Sequence, residues 1–284
     1  MSIEIMKGRY LFSIEEILND LKKCIENKIP FSLIRFGDGG LKFIESVTRG
    51  NHNQLSEISL KEGFPIELSG DILEWWGWAA RTANYIDTPE IYFTEYFWPR
   101  LRGPKKPMHK QTIMKLKLWY EIYNDAEFDN KNYCNPEINF LSVLRISKNK
   151  MNLIDLLKGK RVCCIGTNKK IIDILQELEC ASECIEIPSQ WQNQYEKSFN
   201  TVIKEISEKA NYYDMWLVSA GELGRIYSGV IKEYGGRSFD LGFVYDYWLK
   251  KDIPVRLKEF IGKNPDNQYE FILKKKAKKF QRYL

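Results

Sequence analysis

The chain has 284 residues, 44% of them hydrophobic and 29% charged, enough for one large α/β domain or two small ones around a well-buried core. That balance excludes a fibrous or disordered chain, and no run approaches the roughly 18 apolar residues of a membrane span. The formal net charge of +5 is concentrated at one end: 271–284, FILKKKAKKFQRYL, hold six basic residues and no acidic one, and taking these from the 43 basic residues leaves 37 against 38 acidic ones.

MSIEIMKGRY has charges but no long apolar stretch after them, so no secretory leader is read and a cytoplasmic protein is expected. Cys24, Cys134, Cys163, Cys164, Cys180 and Cys184 show no CxxC spacing, and His52 and His109 lie apart from them. Zinc binding and Cys–His catalysis are therefore set aside.

SIEEILNDLKKCIEN, 13–27, reads as an amphipathic helix, with Ser13 as N-cap and Glu16 completing a capping box. FSLIRF, 31–36, reads as a buried strand that stops at a tight loop, Gly37-Asp38-Gly39-Gly40, before a helix opens at LKFIESV, 41–47. The stretch 50–150 is less regular. It offers a Trp-rich helix over 71–86, a strand over 91–98, a basic loop over 99–110, and helices over 111–125 and 137–148. Trp75, Trp76 and Trp78 read as core, acceptor platform or a dimer surface.

The second half alternates strand and helix: 161–168, 169–178, 183–189, 192–210, 214–221, 222–235 and 237–242. Short connections in a β-α-β-α-β-α-β order predict a parallel sheet with right-handed crossovers. The expected class is α/β: a Rossmann-like parallel sheet flanked by helices, with a helix-rich middle insertion and a basic C-terminal helix. One domain is read over 1–265, with 70–150 as the insertion and 266–284 as the tail.

Three strand ends would share one edge of that sheet: Gly37 to Gly40, Gly166-Thr167-Asn168, and Ser219 to Gly224. The last begins a helix, whose free N–H groups favour an anion such as phosphate. Neither GxxxxGK[ST] nor GxGxxG is present, which argues against a P-loop ATPase and against an NAD enzyme of the usual fingerprint. Asp38, between glycines at a strand end, suits a divalent cation, a sugar hydroxyl or a turn bonded to its own backbone. Glu222 suits a ribose, an acceptor hydroxyl or the helix dipole.

SLIRFGDGG, 32–40, closely resembles the SIIRFGDGE signature of the GT-D glycosyltransferase family. LVSAGELGRIYSGVIKEYGGRSFDLGFVYDYW, 217–248, resembles that family's segment with an SAG turn, a helix, a DIG strand end and a late D-x-W. IPSQWQNQYEKSFNTVIKEI, 187–206, is similar to the stretch between the two motifs. The resemblance spans most of the chain and covers the middle poorly. It implies a Rossmann-like domain that takes a nucleotide-activated sugar, often UDP-linked, with a divalent cation, Mn²⁺ or Mg²⁺, held on the diphosphate by D-x-E carboxylates. Asp38 matches the Asp; Gly40 stands at the Glu position. Either Glu45, Glu222, Asp240 or Asp246 replaces that Glu, or a basic side chain such as Arg35 neutralises the diphosphate.

The expected catalytic set is Asp38, Asp240, Asp246 and Glu222, with Asp240 and Asp246 as candidate bases for an acceptor hydroxyl. The expected donor-binding set is Arg35, Gly37, Gly39, Gly166, Thr167, Asn193, Ser219, Ala220, Gly221 and Gly224, with Asp38 as the metal ligand. The expected partners are a nucleotide-sugar donor and a glycan, protein or lipid acceptor. The basic tail would lie on a membrane surface or on nucleic acid, or dock as a solvated helix, and a homodimer is a further expectation. Competing readings are a nucleotide-binding module without turnover, a transferase acting on nucleic acid, and another nucleotide-dependent enzyme on the same scaffold.

Overall fold

A computed structural model describes residues 11–12, 14–35, 38–87, 132–134, 153–188 and 193–242. In chain order they form β1 (Leu11–Phe12), α1 (Ile14–Glu26), β2 (Phe31–Ile34), α2 (Asp38–Thr48), α3 (His52–Glu62), a 3₁₀ turn (Ile66–Leu68), α4 (Ser69–Thr82), β3 (Tyr85–Asp87) and β4 (Asn132–Cys134). There follow α5 (Leu153–Leu157), β5 (Arg161–Gly166), α6 (Ile171–Glu177), β6 (Ala181–Glu186), α7 (Gln194–Lys209), β7 (Met215–Val218), α8 (Leu223–Glu233) and β8 (Arg237–Asp240).

The strands make one 8-stranded sheet in the order β1-β4-β3-β2-β8-β7-β5-β6. Every pairing is parallel. Phe239 of β8 sits in register with Leu33 on one side and Leu217 on the other. The central strands β2, β7 and β8 are buried along their whole length, whereas the edge strand β6 is mostly accessible. Buried parallel strands need apolar residues on both faces, which is why FSLI, VCCI and MWLV read as continuous hydrophobic runs.

Alternate residues of each strand feed opposite cores. Ile34, Cys163, Ile165, Trp216 and Val218 face a cluster completed by α2, α3, α4, α7 and α8. Phe31, Leu33, Val162, Cys164, Met215, Leu217 and Phe239 face a second cluster completed by α1, α5 and α6. The molecule is thus three layers, helix on sheet on helix. Each fully buried Leu, Ile or Phe in these layers contributes on the order of 1.5–3 kcal/mol.

The tryptophan cluster belongs to the first core. Trp76 is wholly buried and meets Phe43 edge-on, with ring centroids 4.8 Å apart. Trp75 stacks on Phe199 at 5.6 Å. Where α8 crosses α4, a Cβ on Gly229 would come 2.8 Å from the Trp78 ring and 2.9 Å from Ala79 Cβ, so glycine sets the approach of the two helices.

Some boundaries differ from expectation. α2 begins at Asp38, so Asp38-Gly39-Gly40 is the first turn of a helix rather than part of a loop. α3 has only weak amphipathic spacing; its ends are set by caps, with the Asn51 side chain accepting from Gln54 N and Gly63, at φ 73°, closing the C-terminus. Within 70–150, β3 and β4 join the main sheet beside β2, so this stretch supplies strands as well as helix. The expected elements over 91–98, 99–110, 111–125 and 137–148, and the tail 266–284, lie outside the described residues, as does the Ser13 cap. Among the described residues, no helix is long and apolar enough to cross a membrane.

Candidate functional site

Because all strands run the same way, the segments that follow β2, β5, β7 and β8 open at one edge. The helices after β2 and β7 pack on the Trp76 face, and the helix after β5 packs on the other. Neighbouring β5 and β7 therefore part their connections at this edge, which is where open α/β sheets form a ligand crevice. Ser219 N donates to Ile165 O at 2.8 Å and ties the two strand ends together.

Arg225, in the first turn of α8, organises the β7–β2 side of this edge. Its Nη1 pairs with the Glu222 carboxylate one turn earlier, and both side chains are buried. Its Nε donates to the carbonyl of Arg35 at 2.5 Å, at the end of β2. Its guanidinium carbon lies 4.1 Å from the centroid of the Trp76 ring. Trp76 Nε1 in turn donates to Glu222 O at 2.9 Å. A cation over an indole face, paired with a carboxylate and bonded to a carbonyl, is held by three partners.

Gly40 lies directly beneath this group. A Cβ there would come 3.2 Å from Arg225 Nη2 and 3.5 Å from the Trp76 ring. A side chain at 40 would therefore crowd the guanidinium, and the junctions after β2 and β7 are clasped by one side chain.

Asp240, the last residue of β8, is 4% exposed. Its Oδ1 accepts from Gly242 N at 2.9 Å. Burial pushes its carboxyl pKa up, and the charges of Arg225 and Arg35, together with backbone N–H groups of Gly242 and Arg35, pull in the other direction. The side chain of Arg35 lies against Gly242, where a Cβ would come 2.6 Å from Nη1 and where φ is +50°. The positive φ is what favours glycine at 242. Ser219 Oγ donates to Gly242 O at 2.8 Å, so the ends of β7 and β8 are also joined. Gly224 lets the α8 N-terminus approach the sheet: its Cβ would meet Val218 Cγ1 at 3.3 Å and Asp240 Oδ1 at 4.0 Å.

No protein-family model matches the chain, and no curated protein sequence matches it. Solved structures do. A selenomethionine-substituted structure of domain of unknown function 1792 (DUF1792) superposes with a TM-score of 0.54 at 15% identity, over 89% of this chain and 87% of that one. A second, described as a highly conserved domain with a distinct glycosyltransferase fold, superposes with a TM-score of 0.54 at 14% identity over the same shares. A third, a DUF1792 glycosyltransferase from Streptococcus sanguinis, gives 0.52 at 16% identity over 85% of each chain. The chain has the DUF1792 glycosyltransferase fold.

Within the DUF1792 fold, the expected residues fall into groups. Arg35, Glu222 and Asp240 are brought together through Arg225, and Asp38 and Gly39 begin α2 beside them. Ser219, Ala220, Gly221 and Gly224 form the turn into α8, with Gly221 at φ +53°. Gly166 and Thr167 end β5 at the same edge, Thr167 exposed. Asn193 begins α7 in a left-handed conformation, with its side-chain amide bonded to Glu196 rather than to any of the other expected residues. Gly37 and Asp246 lie outside the described residues.

Of the four carboxylates that could replace a Glu at position 40, the three described ones are engaged elsewhere, and Asp246 lies outside the described residues. Glu222 faces Arg225. Asp240 is buried under backbone N–H groups. Glu45 pairs with Arg49 at 3.1 Å. Among the described residues, no group of three His, Cys, Asp or Glu side chains converges as a metal would require. Asp38, the residue expected to hold the family's divalent cation, has a side chain outside the described residues.

One contributor went unread in the sequence, Arg225, and Trp76 was read only as one of a cluster with core among its readings. The E-x-x-R spacing at 222 and 225 places two opposite charges on one face of a helix. That helix is otherwise buried and apolar, which is the signal that marks Arg225. Nothing in the sequence singles out Trp76 from its neighbours.

Proposed function

We propose that the chain is a glycosyltransferase that takes a sugar from a nucleotide-sugar donor, UDP-linked, and passes it to a hydroxyl of a glycan, protein or lipid acceptor. The observation that carries this reading is the clasp at the carboxyl edge. Arg225 joins the start of α8 to the end of β2, with Arg35 and Asp240 alongside, in a fold shared with structures named as glycosyltransferases.

Sugar transfer needs negative charge on the leaving diphosphate to be neutralised as the glycosidic bond breaks. The N-terminal turns of α2 and α8 and the guanidinium of Arg35 supply positive potential for it. The acceptor hydroxyl must lose its proton during or after attack. A carboxylate whose burial raises its proton affinity suits that task, and Asp240 is such a group. Arg225 positions Arg35 and Glu222 rather than meeting the sugar.

Titration of the full chain with UDP, GDP and a panel of UDP-sugars by calorimetry tests the reading. Selective binding of one nucleotide sugar, followed by release of its nucleoside diphosphate when acceptor is present, is the expected result. No binding to any nucleotide would overturn it. A second reading, a nucleotide-binding module without turnover, is favoured by Gly40 at the D-x-E position and by the engagement of Glu222 with Arg225. Binding with no release under any acceptor would select that reading.

A further inference from the structure

We propose that Trp75 and Tyr195, with the carboxylate of Asp71, form the acceptor side of the crevice, and that the acceptor they take is a neutral saccharide. This inference rests on the transferase reading above and names the acceptor for it.

Two helices build this wall. α4 runs into β3, so its first turn stands at the carboxyl edge of the sheet; α7 follows β6, so its first turn stands there too. Asp71 and Trp75 lie one helical turn apart on α4, and Tyr195 and Phe199 one turn apart on α7, so each pair shares a helix face. The two faces meet at Phe199. Its ring is buried and carries Trp75 at 5.6 Å, with 9° between the planes, and Tyr195 at 4.7 Å, with 23°. Tyr195 N donates to Gly63 O at 2.8 Å, which ties the start of α7 to the end of α3. The wall adjoins the clasp on α8. Phe199 meets Tyr227 at 5.7 Å, and Trp76, the neighbour of Trp75 in the chain, donates to Glu222 O.

Polar groups on this wall are left open. Trp75 and Tyr195 are half-buried, and Asp71 is exposed. Among the described residues, the Trp75 N–H, the Tyr195 hydroxyl and the Asp71 carboxylate make no hydrogen bond or ion pair. The carboxylate lies close enough to act on the tyrosine: burial raises the Tyr195 hydroxyl pKa, and the Asp71 charge raises it further. Aromatic side chains with a polar tip have a partner when they are buried in a core. Here the tips and the carboxylate face outward around a stack of rings. A pyranose uses both features at once. Its C–H face packs on the negative face of an aromatic ring, and its hydroxyls donate to a carboxylate and accept from N–H and O–H groups. An anionic lipid headgroup would meet the Asp71 charge at the same rings.

The test is an array of neutral glycans, anionic glycans and Ser/Thr-rich peptides, probed with the full chain in the absence of nucleotide. Calorimetry with the strongest binder then follows. The expected result is retention on neutral glycans. Asp71→Asn should weaken that binding about tenfold, the scale of one hydrogen bond to a charged group. Tyr195→Ala should also weaken it about tenfold, whereas Tyr195→Phe, which keeps the ring, should cost no more than about threefold. A purely structural role for Tyr195 would instead lower the melting temperature and leave Asp71→Asn without effect on glycan binding. If Tyr195→Ala does not fold, Asp71→Asn, at an exposed position, decides. No retention on a neutral glycan, a preference for anionic glycans or peptides, or neutral-glycan binding that ignores Asp71→Asn overturns this inference. UDP binding by the same protein then leaves the donor reading standing. Variant-sensitive glycan binding without binding of any nucleotide overturns the donor reading and leaves the saccharide site.

Discussion

Two buried arginines sit at opposite edges of the same sheet. Arg237 opens β8 at the amino edge, where its Nε donates to Asp214 O at 2.8 Å and its Nη2 to Tyr213 O at 2.6 Å. Arg225 lies at the carboxyl edge, bonded to a carboxylate and to the carbonyl of Arg35 over an indole face. The first holds a loop by its main chain, with the Asp214 and Arg161 charges close by at the same edge. The second gathers ionised groups from the ends of β2 and β8 and the start of α8. Parallel topology explains the difference. Loops entering the strands need only be braced, whereas segments leaving them bring helix N-termini together and create positive potential.

The comparison breaks most severely at Arg225. Replacing it with Met leaves Glu222 buried without its partner, and we expect a loss of about 3–5 kcal/mol in urea unfolding, along with weakened nucleotide binding. Arg237→Met should cost less, about 1–3 kcal/mol, because it exposes only backbone carbonyls to an unmet bond. Calorimetry should show nucleotide affinity unchanged in that variant, and a loss equal to that of Arg225→Met would erase the distinction between the two edges.

A smaller effect is expected at Ser219. Its hydroxyl bonds Gly242 O at 2.8 Å and joins the ends of β7 and β8. Ser219→Ala should cost about 0.5–1.5 kcal/mol by denaturant unfolding.

The smallest effect is a slope with pH. The Asp240 pKa is raised above its ordinary value of 3.8, chiefly by burial. The folded chain therefore holds this proton more tightly than the unfolded one, so the contribution is full at acid pH and is lost as pH rises through the raised value. Asp240→Asn removes that slope. Unfolding measured across pH should show wild type losing stability relative to the variant as pH rises from the ordinary value, and parallel curves would refute the assignment. If Asp240 is the base for the acceptor hydroxyl, the same variant abolishes transfer while nucleotide binding persists.

Much of the carboxyl edge was legible from local rules. Gly-rich strand ends at 37–40 and 219–224, with buried runs before them, mark where a parallel sheet opens to a ligand. The start of α2 was misjudged because two glycines after Asp38 read as a loop. Packing under Trp76 and Arg225 leaves little room for a side chain at 40 in the helical turn that forms there. α3 was missed because its apolar spacing is weak and its caps, Asn51 and Gly63, set its limits instead.

By itself the sequence determined the alternation of strand and helix in the second half, the parallel sheet that follows from it, and the strand ends near which Arg35, Asp38, Ser219 and Asp240 lie. These depend on periodicity and turn chemistry, which act over a few residues. Only the tertiary structure decided that Glu222 serves Arg225, that Arg225 reaches the Arg35 carbonyl 190 residues away, and that a side chain at 40 would crowd the guanidinium. Such assignments depend on which side chains meet when β2 and β8 pair and α8 packs against α4, a matter of packing between distant segments that no local pattern encodes.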